Sequence, residues 1–142
     1  LLEKKIITVL VVLGAIAGRL IACNNPKEIK EKQYYAEGMY LYQKYCQNCH
    51  MENGKGLGEL IPPLAQSDYL FNNMSDLACM IKNGKQGKMT VNGKSYDGIM
   101  PGYNNLSSIE IAEIITYVTN SWGNKSTTYS IKQVEEDLKK CQ

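Results

Sequence analysis

Five consecutive residues, from Cys46 to His50, have the types and the spacing of a chemical site. Two residues separate Cys46 from Cys49 and His50 follows at once, which is the C-x-x-C-H sequence for attachment of c-type haem. Each thiol bonds to one vinyl group of the porphyrin, and the short step between the cysteines matches the separation of those groups. His50 is then placed beneath the iron as an axial ligand. The sequence therefore predicts one covalently bound haem c.

Two other uses of paired cysteines fit this chain less well. A structural zinc site needs four ligands, commonly from two such pairs, whereas Cys23, Cys79 and Cys141 stand singly and His50 is the only histidine. A thioredoxin-like dithiol needs a strand–helix–strand setting, and no such alternation surrounds Cys46. Haem attachment remains the favoured interpretation.

The iron also needs a ligand on its opposite side, and a methionine thioether is the natural candidate in a chain with one histidine. The six methionines are Met39, Met51, Met74, Met80, Met89 and Met100. Met100 is the preferred ligand because Pro101 follows it and restricts the backbone of Met100 to an extended or turn conformation. Met74 and Met89 are the alternatives.

Length and composition indicate one small globular domain with appendages. The chain has 142 residues, of which 44% are hydrophobic and 21% charged, and these values are ordinary for a globular protein. A net charge of +2 is too small to indicate a nucleic-acid partner.

Residues 1–23 are predicted to tether the protein to a membrane. Lys4 and Lys5 precede an apolar run over residues 6–17, which is the charge and hydropathy pattern of an export signal. The sequence that ends at Cys23 resembles the lipobox of bacterial lipoproteins, in which the cysteine is lipidated. The alternative is an uncleaved membrane anchor, although the run is short for a spanning helix. Either arrangement places the haem domain on the periplasmic, extracytoplasmic side.

The rest of the chain is predicted to be helical, with one short hairpin. Residues 24–33 are interpreted as a linker, 34–123 as the haem domain and 124–142 as a tail. A first helix is expected from about Tyr34 to Cys46, with Gly38 admitting another helix at close range. A hairpin near residues 88–96 is expected around an Asn-Gly pair in a type I′ turn.

A closing helix is predicted from about Ser108 to Trp122. A capping box at residues 107–110 precedes it, and Gly123 has the position of a terminating glycine. In the tail, apolar residues recur at helical spacing, which indicates a short amphipathic helix. These residues are Ile131, Val134, Leu138 and Cys141.

Two cysteines remain if the attachment pair holds haem and Cys23 is lipidated. Cys141 lies on the apolar stripe of the tail helix, so it faces the domain and is able to meet Cys79. One expectation is therefore a Cys79–Cys141 disulfide. The alternative is a small buried Cys79 and a free thiol at Cys141, because sequence does not define the separation of their Cα atoms.

The spacing of these residues resembles the class I cytochromes c. The resemblance rests on Gly38-x-x-x-Tyr42-x-x-x-Cys46-x-x-Cys49-His50, on Pro62 twelve residues after His50, and on Met100-Pro101 before a closing helix. Residues 91–101 and 117–123 are similar to bacterial cytochrome c domains that serve respiratory oxidases or nitrogen-oxide reductases. The match covers about residues 34–123.

This resemblance implies an all-α, mono-haem fold whose first and last helices cross near Gly38. It also implies that the Pro62 carbonyl accepts a hydrogen bond from His50 and so orients the imidazole, with Pro63 beside it as an alternative acceptor.

The expected function is one-electron transfer, because an iron ligated by His50 and Met100 has no open position for a substrate. The expected partners are membrane respiratory proteins such as a terminal oxidase or a quinol-oxidising complex. Two alternatives are an electron-relay subunit of a larger respiratory complex, and a peroxidase-like enzyme with a vacant sixth position. Four lysines before Met100 either frame the haem edge for an acidic partner or form a solvated loop; they are Lys82, Lys85, Lys88 and Lys94.

Overall fold

A computed structural model of the protein describes residues 3–11 and 25–141. The chain divides into two compact units, residues 1–31 and residues 32–142. In the first unit, residues 3–11 are helical and exposed. Within the described ranges, no helix combines the length and the apolarity that crossing a membrane requires. The predicted lipidation site at Cys23 lies outside the described residues.

The long helix, Pro26–Tyr45, begins earlier than the predicted start at about Tyr34. Asn25 caps it, since the Asn25 side-chain oxygen accepts the backbone N–H of Lys27 at 3.1 Å. Proline is favoured in the first helical turn, where its missing N–H has no partner to lose. The Asn-Pro pair is therefore a helix start, and the prediction of the helix boundary was wrong.

The second unit is mostly helical, with one two-stranded hairpin, as predicted. Met89–Val91 pairs antiparallel with Lys94–Tyr96. Asn92 and Gly93 between them both have positive φ, 50° and 76°, which is the type I′ geometry. The shorter helical segments are Gln47–His50, Asp68–Asn72, the 3₁₀ turn Met74–Asp76, and Leu77–Asn83, which we call the cysteine helix.

The long helix and the closing helix, Ser108–Val118, approach each other closely at Gly38, as predicted. A Cβ atom added at Gly38 would lie 2.0 Å from the Glu113 carbonyl oxygen and 2.8 Å from the Tyr117 Cβ. No side chain fits in that space. The crossing therefore brings two backbones into contact, and Tyr42, one turn further along the long helix, is completely buried against the rings of Tyr117 and Trp122.

The closing helix ends at Val118, four positions before the predicted end at Trp122. At its end, polar side chains donate hydrogen bonds to the backbone carbonyls of the last turn. Thr119 donates its hydroxyl to the Ile115 carbonyl at 2.7 Å, and Asn120 donates its amide to the Thr116 carbonyl at 2.9 Å. Such side-chain bonds to the backbone compete with further helical turns, which explains the earlier end.

The tail helix, Ile131–Leu138, packs its apolar side against the domain. Val134 is completely buried. The backbone N–H of Tyr129, just before the helix, donates to Thr116 Oγ1 on the closing helix at 2.9 Å. A disulfide joins Cys79 on the cysteine helix to Cys141, with the two Cα atoms 5.5 Å apart.

Candidate haem site

The attachment cysteines lie where the long helix passes into one further helical turn. The backbone N–H of Cys46 donates to the Tyr42 carbonyl at 2.8 Å, and that of His50 donates to the Cys46 carbonyl at 2.9 Å. This nearly continuous helical hydrogen bonding holds both thiols on one turn. Cys46 is half-buried, Cys49 is exposed, and neither is in a disulfide. Burial raises the pKa of the Cys46 thiol to about 12, and neighbouring Cys49 adds to the rise.

His50 is buried and oriented by a backbone carbonyl. Its Nδ1 lies 3.1 Å from the oxygen of Pro62, and not of the neighbouring Pro63. With Nδ1 donating to this carbonyl, Nε2 is the nitrogen with a free lone pair, which is the arrangement of a metal-ligating histidine. Burial lowers the pKa of His50 below its usual value, although the bond to Pro62 opposes the shift. The neutral imidazole that iron requires is therefore favoured.

The loop after His50 depends on close packing that only glycine permits. A Cβ at Gly56 would lie 2.2 Å from the Ile61 carbonyl oxygen, and one at Gly54 would lie 2.4 Å from the ring of Trp122. Both glycines have φ of +66°. Trp122 also donates its indole N–H to the Glu52 carbonyl at 2.9 Å. Trp122 therefore holds the loop that presents His50.

One apolar pocket collects the predicted site residues. Cys46, Cys49, His50, Pro62 and Met100 all line it. Its remaining walls come from the 60–70 loop, the cysteine helix, the hairpin and the closing helix; they include Leu60, Ile61, Leu64, Leu70, Leu77, Ile81, Val91, Ile114, Ile115 and Val118. The apolar residues of this stretch predict walls around the porphyrin from Leu57 onward, but Leu57 itself does not line the pocket.

The methionines separate into two groups. Met80, Met89 and Met100 line the same pocket as His50, whereas Met74, an alternative ligand from the sequence, does not. Met100 is distinguished by its backbone. Its N–H donates to the Lys85 carbonyl and its carbonyl accepts the Lys85 N–H, both at 2.9 Å.

Tyr103 joins the segment that carries Met100 to two helices. Its backbone N–H donates to the Ile81 carbonyl at 2.9 Å, and its hydroxyl donates to the Tyr45 carbonyl at 2.6 Å. Its ring packs on Tyr45 with 5.1 Å between centroids. The two sides of the pocket are therefore connected just beyond Met100.

Asn124 is a positioning residue that sequence reasoning missed. Its amide donates to the Leu64 carbonyl at 2.9 Å and to the Val118 carbonyl at 2.7 Å, and its oxygen accepts the Gln66 N–H at 2.8 Å. Asn124 therefore joins two walls of the pocket. No local pattern signals this role, because Leu64 and Gln66 are distant from Asn124 in the sequence.

The four lysines before Met100 do not act as one free basic cluster. Lys82 donates to the Leu106 carbonyl at 2.7 Å, and Lys94 pairs with Glu59 at 3.1 Å. Lys85 lines the pocket and Lys88 is exposed. Two of the four charges are thus held by local partners.

The donor set fits a c-type haem. Two free thiols with the attachment spacing, a buried imidazole and three thioethers surround an apolar space that suits the faces of a porphyrin. In the described part of the chain, no group of three or more His, Cys, Asp or Glu side chains is arranged to hold a bare metal ion.

Comparison with known proteins agrees with this site. A family profile described as cytochrome c matches residues 35–122. Cytochrome c-552 of Thermus thermophilus is 30% identical over 110 residues, which cover 74% of this chain and 83% of that protein. The cytochrome c subunit of the quinone alcohol dehydrogenase of Gluconacetobacter polyoxogenes is 33% identical over 92 residues, which cover 63% of this chain and 19% of the subunit. The chain belongs to the class I cytochrome c family and carries one covalently bound haem c.

Proposed function

We propose that this protein carries single electrons through a haem c that Cys46 and Cys49 attach and that His50 and Met100 ligate. The observation that carries the proposal is one apolar pocket lined by the two free thiols, the buried imidazole and the Met100 thioether. Haem iron supplies one-electron exchange between Fe(III) and Fe(II). With His50 and Met100 both bound, no coordination position is left for a substrate, and the role is electron transfer without catalysis.

Met100 is favoured over Met80 and Met89 because it lies outside the helices and strands, on a segment that hydrogen bonds hold in place. Both of its main-chain polar groups bond to Lys85, and Pro101 narrows its backbone conformation. A ligand on a fixed backbone loses less conformational entropy when it binds. Met80 lies within the cysteine helix and Met89 within a hairpin strand, and no proline follows either of them.

Electron exchange occurs where the pocket opens to solvent. Leu60 and Ile99 line the pocket, yet they are 70% and 76% exposed. Apolar side chains at that exposure mark a surface suited to contact with a partner. An electron crossing there has the shortest path between the pocket and a docked protein.

We further propose that residues 1–23 tether the domain at the extracytoplasmic face of a membrane, through an anchor helix or through lipid on Cys23. The support is the sequence pattern of Lys4, Lys5 and the apolar run. A tether raises the effective concentration of a membrane-bound partner, which favours a terminal oxidase or a quinol-oxidising complex. A relay subunit of a larger complex is the second candidate, favoured by the similarity to a dehydrogenase cytochrome c subunit.

Purification from native membranes in mild detergent tests the tether and the partner together. We expect the haem-bearing chain in the membrane fraction, with a respiratory oxidoreductase recovered beside it. A fixed ratio of chain to partner through successive columns supports the relay subunit. Recovery of the whole chain in the wash without detergent contradicts the tether.

Replacement of Met100 tests the ligand assignment. Met100→Leu keeps the size of the side chain but removes the sulfur. We expect loss of the weak far-red methionine-to-iron absorption of the ferric protein. We also expect a fall in reduction potential on the order of 0.1 V, within the range of about 0.8 V that axial ligands span. Spectroscopy and a redox titration of the purified protein measure both.

Met80→Leu and Met89→Leu are the matched controls, since both residues line the same pocket. Each should keep the absorption and the potential of the parent. If Met89→Leu removes the band and Met100→Leu does not, the ligand is Met89. A high-spin ferric spectrum in the parent protein would instead indicate an open sixth position and a peroxidase-like site.

A further inference from the structure

The cysteine helix, Leu77–Asn83, has two sides with different attachments. On one side Leu77, Met80 and Ile81 line the haem pocket. From the other side Cys79 forms the disulfide with Cys141. A displacement of this helix therefore reaches the pocket wall directly.

The segment that carries Met100 is hydrogen-bonded to the residue that lies just after the end of the same helix. The backbone of Met100 makes two hydrogen bonds to Lys85, just after the helix. The contacts are too close for side chains, because a Cβ at Gly84 would lie 2.5 Å from the Met100 carbonyl oxygen and one at Gly102 would lie 2.5 Å from the Asn83 carbonyl carbon. The backbone of Met100 and the cysteine helix therefore have to move together.

The tail is held independently by the closing helix and by a buried polar contact. Val134 is fully buried and Tyr129 donates its N–H to Thr116. The Tyr129 hydroxyl lies 3.3 Å from the Met74 carbonyl oxygen, in the turn before the cysteine helix, and within the tail it donates to the buried carboxylate of Asp137. The tail is thus a fixed element to which the cysteine helix is covalently bound.

We propose that the Cys79–Cys141 disulfide positions Met100. The crosslink fixes the cysteine helix to the tail, the helix fixes Lys85, and Lys85 fixes the backbone of Met100. It thereby determines how firmly the thioether resists replacement by another ligand. The tail and Cys141 lie beyond the family match, which ends at residue 122. The inference rests on the proposed ligation by Met100.

The experiment compares the parent holoprotein with the Cys79→Ser/Cys141→Ser variant by imidazole titration of the ferric form. Imidazole competes with the methionine for the iron, so its apparent affinity reports the fraction of protein in which the thioether has detached. We expect roughly tenfold tighter apparent binding to the variant, because a larger population has an open position. The far-red methionine absorption should weaken in parallel.

Leu41→Ala is the control for a general loss of stability. Leu41 is buried on the long helix and does not line the pocket. This variant should unfold at lower temperature and yet bind imidazole like the parent. If it binds imidazole as tightly as the disulfide variant does, the crosslink acts only through global stability and the proposal is overturned.

Cleavage of the disulfide in the folded parent provides a second route if the double variant fails to mature. A water-soluble phosphine reduces the bond, iodoacetamide caps the two thiols, and the haem is reoxidised before titration. An imidazole affinity within twofold of the uncut protein overturns the proposal. If Met100→Leu leaves the parent spectrum unchanged, the ligand assignment has failed; if that assignment holds and cleavage has no effect, only the positioning role has failed.

Discussion

Replacing both Cys46 and Cys49 with alanine is expected to yield a chain that retains no haem after extraction with acidified organic solvent. The two thiols are the proposed covalent attachment points, and in the described residues Cys79 and Cys141 are already bonded to each other. We also expect the variant to lose cooperative thermal unfolding, measured by circular dichroism.

The loss of folding follows from the size of the pocket that haem fills. The walls come from the closing helix, the cysteine helix, the hairpin and the 60–70 loop, so an empty pocket removes packing from nearly every element. A cavity left by one leucine-to-alanine change costs about 2 to 5 kcal/mol. Several such losses together exceed the total stability of a typical domain, about 5 to 15 kcal/mol.

The Cys79→Ser/Cys141→Ser variant is the matched control because it also removes two sulfurs. It should keep its haem through the extraction. Haem that stays with the Cys46→Ala/Cys49→Ala chain under denaturing conditions would show that attachment lies elsewhere.

Gly38→Ala should lower the free energy of unfolding by about 2 kcal/mol, or roughly 10 °C in melting temperature. Alanine favours a helix over glycine by about 1 kcal/mol, so the intrinsic preference alone predicts stabilisation. The opposite is expected because the new methyl group would lie 2.0 Å from the Glu113 carbonyl oxygen. Backbone atoms do not rotate away as a flexible side chain does, and the helices must separate.

Ala36→Gly calibrates the intrinsic helix preference on an exposed position of the same helix. It should destabilise the protein by about 1 kcal/mol. Thermal unfolding of the two variants beside the parent gives both values. The close crossing is refuted if Gly38→Ala raises the free energy of unfolding by as much as Ala36→Gly lowers it.

Local signals in the sequence were sufficient for much of the fold. The Asn92-Gly93 pair specifies a type I′ turn, and the hairpin is present at those residues. Glu110 accepts the backbone N–H of Ser107 at 2.9 Å, so the closing helix begins where the capping box predicts. Each feature depends only on a few neighbouring residues.

The two helix boundaries that were predicted wrongly lie where two structural signals in the sequence disagree. The polar residues after Asn25-Pro26 predict a linker, yet an Asn cap followed by proline also starts a helix. Trp122 continues the apolar spacing of the closing helix, but its φ is +55° and its ring packs on Gly54. A long-range contact outweighs the local pattern there.

The residues of the pocket also fall into two groups, those that a short sequence motif identifies and those that only tertiary packing brings together. The spacing from Cys46 to His50 identifies the attachment sequence, since the chemistry is contained in five residues. The roles of Asn124 and of the methionines are not contained in any short segment. Met80 and Met89 reach the pocket together with Met100 through tertiary packing, and spacing along the chain carries no information about that.

The crossing at Gly38 has a consequence for the order in which the protein matures. During synthesis from the N-terminus, Cys46 and Cys49 are complete well before Glu113 and Trp122 are added. Until those later residues pack in place, Gly38 and Gly54 are uncovered and the haem pocket is open to solvent on that side. While the closing helix is undocked the two thiols are therefore accessible to an attaching enzyme, and we expect the helix to dock at Gly38 after the haem is attached.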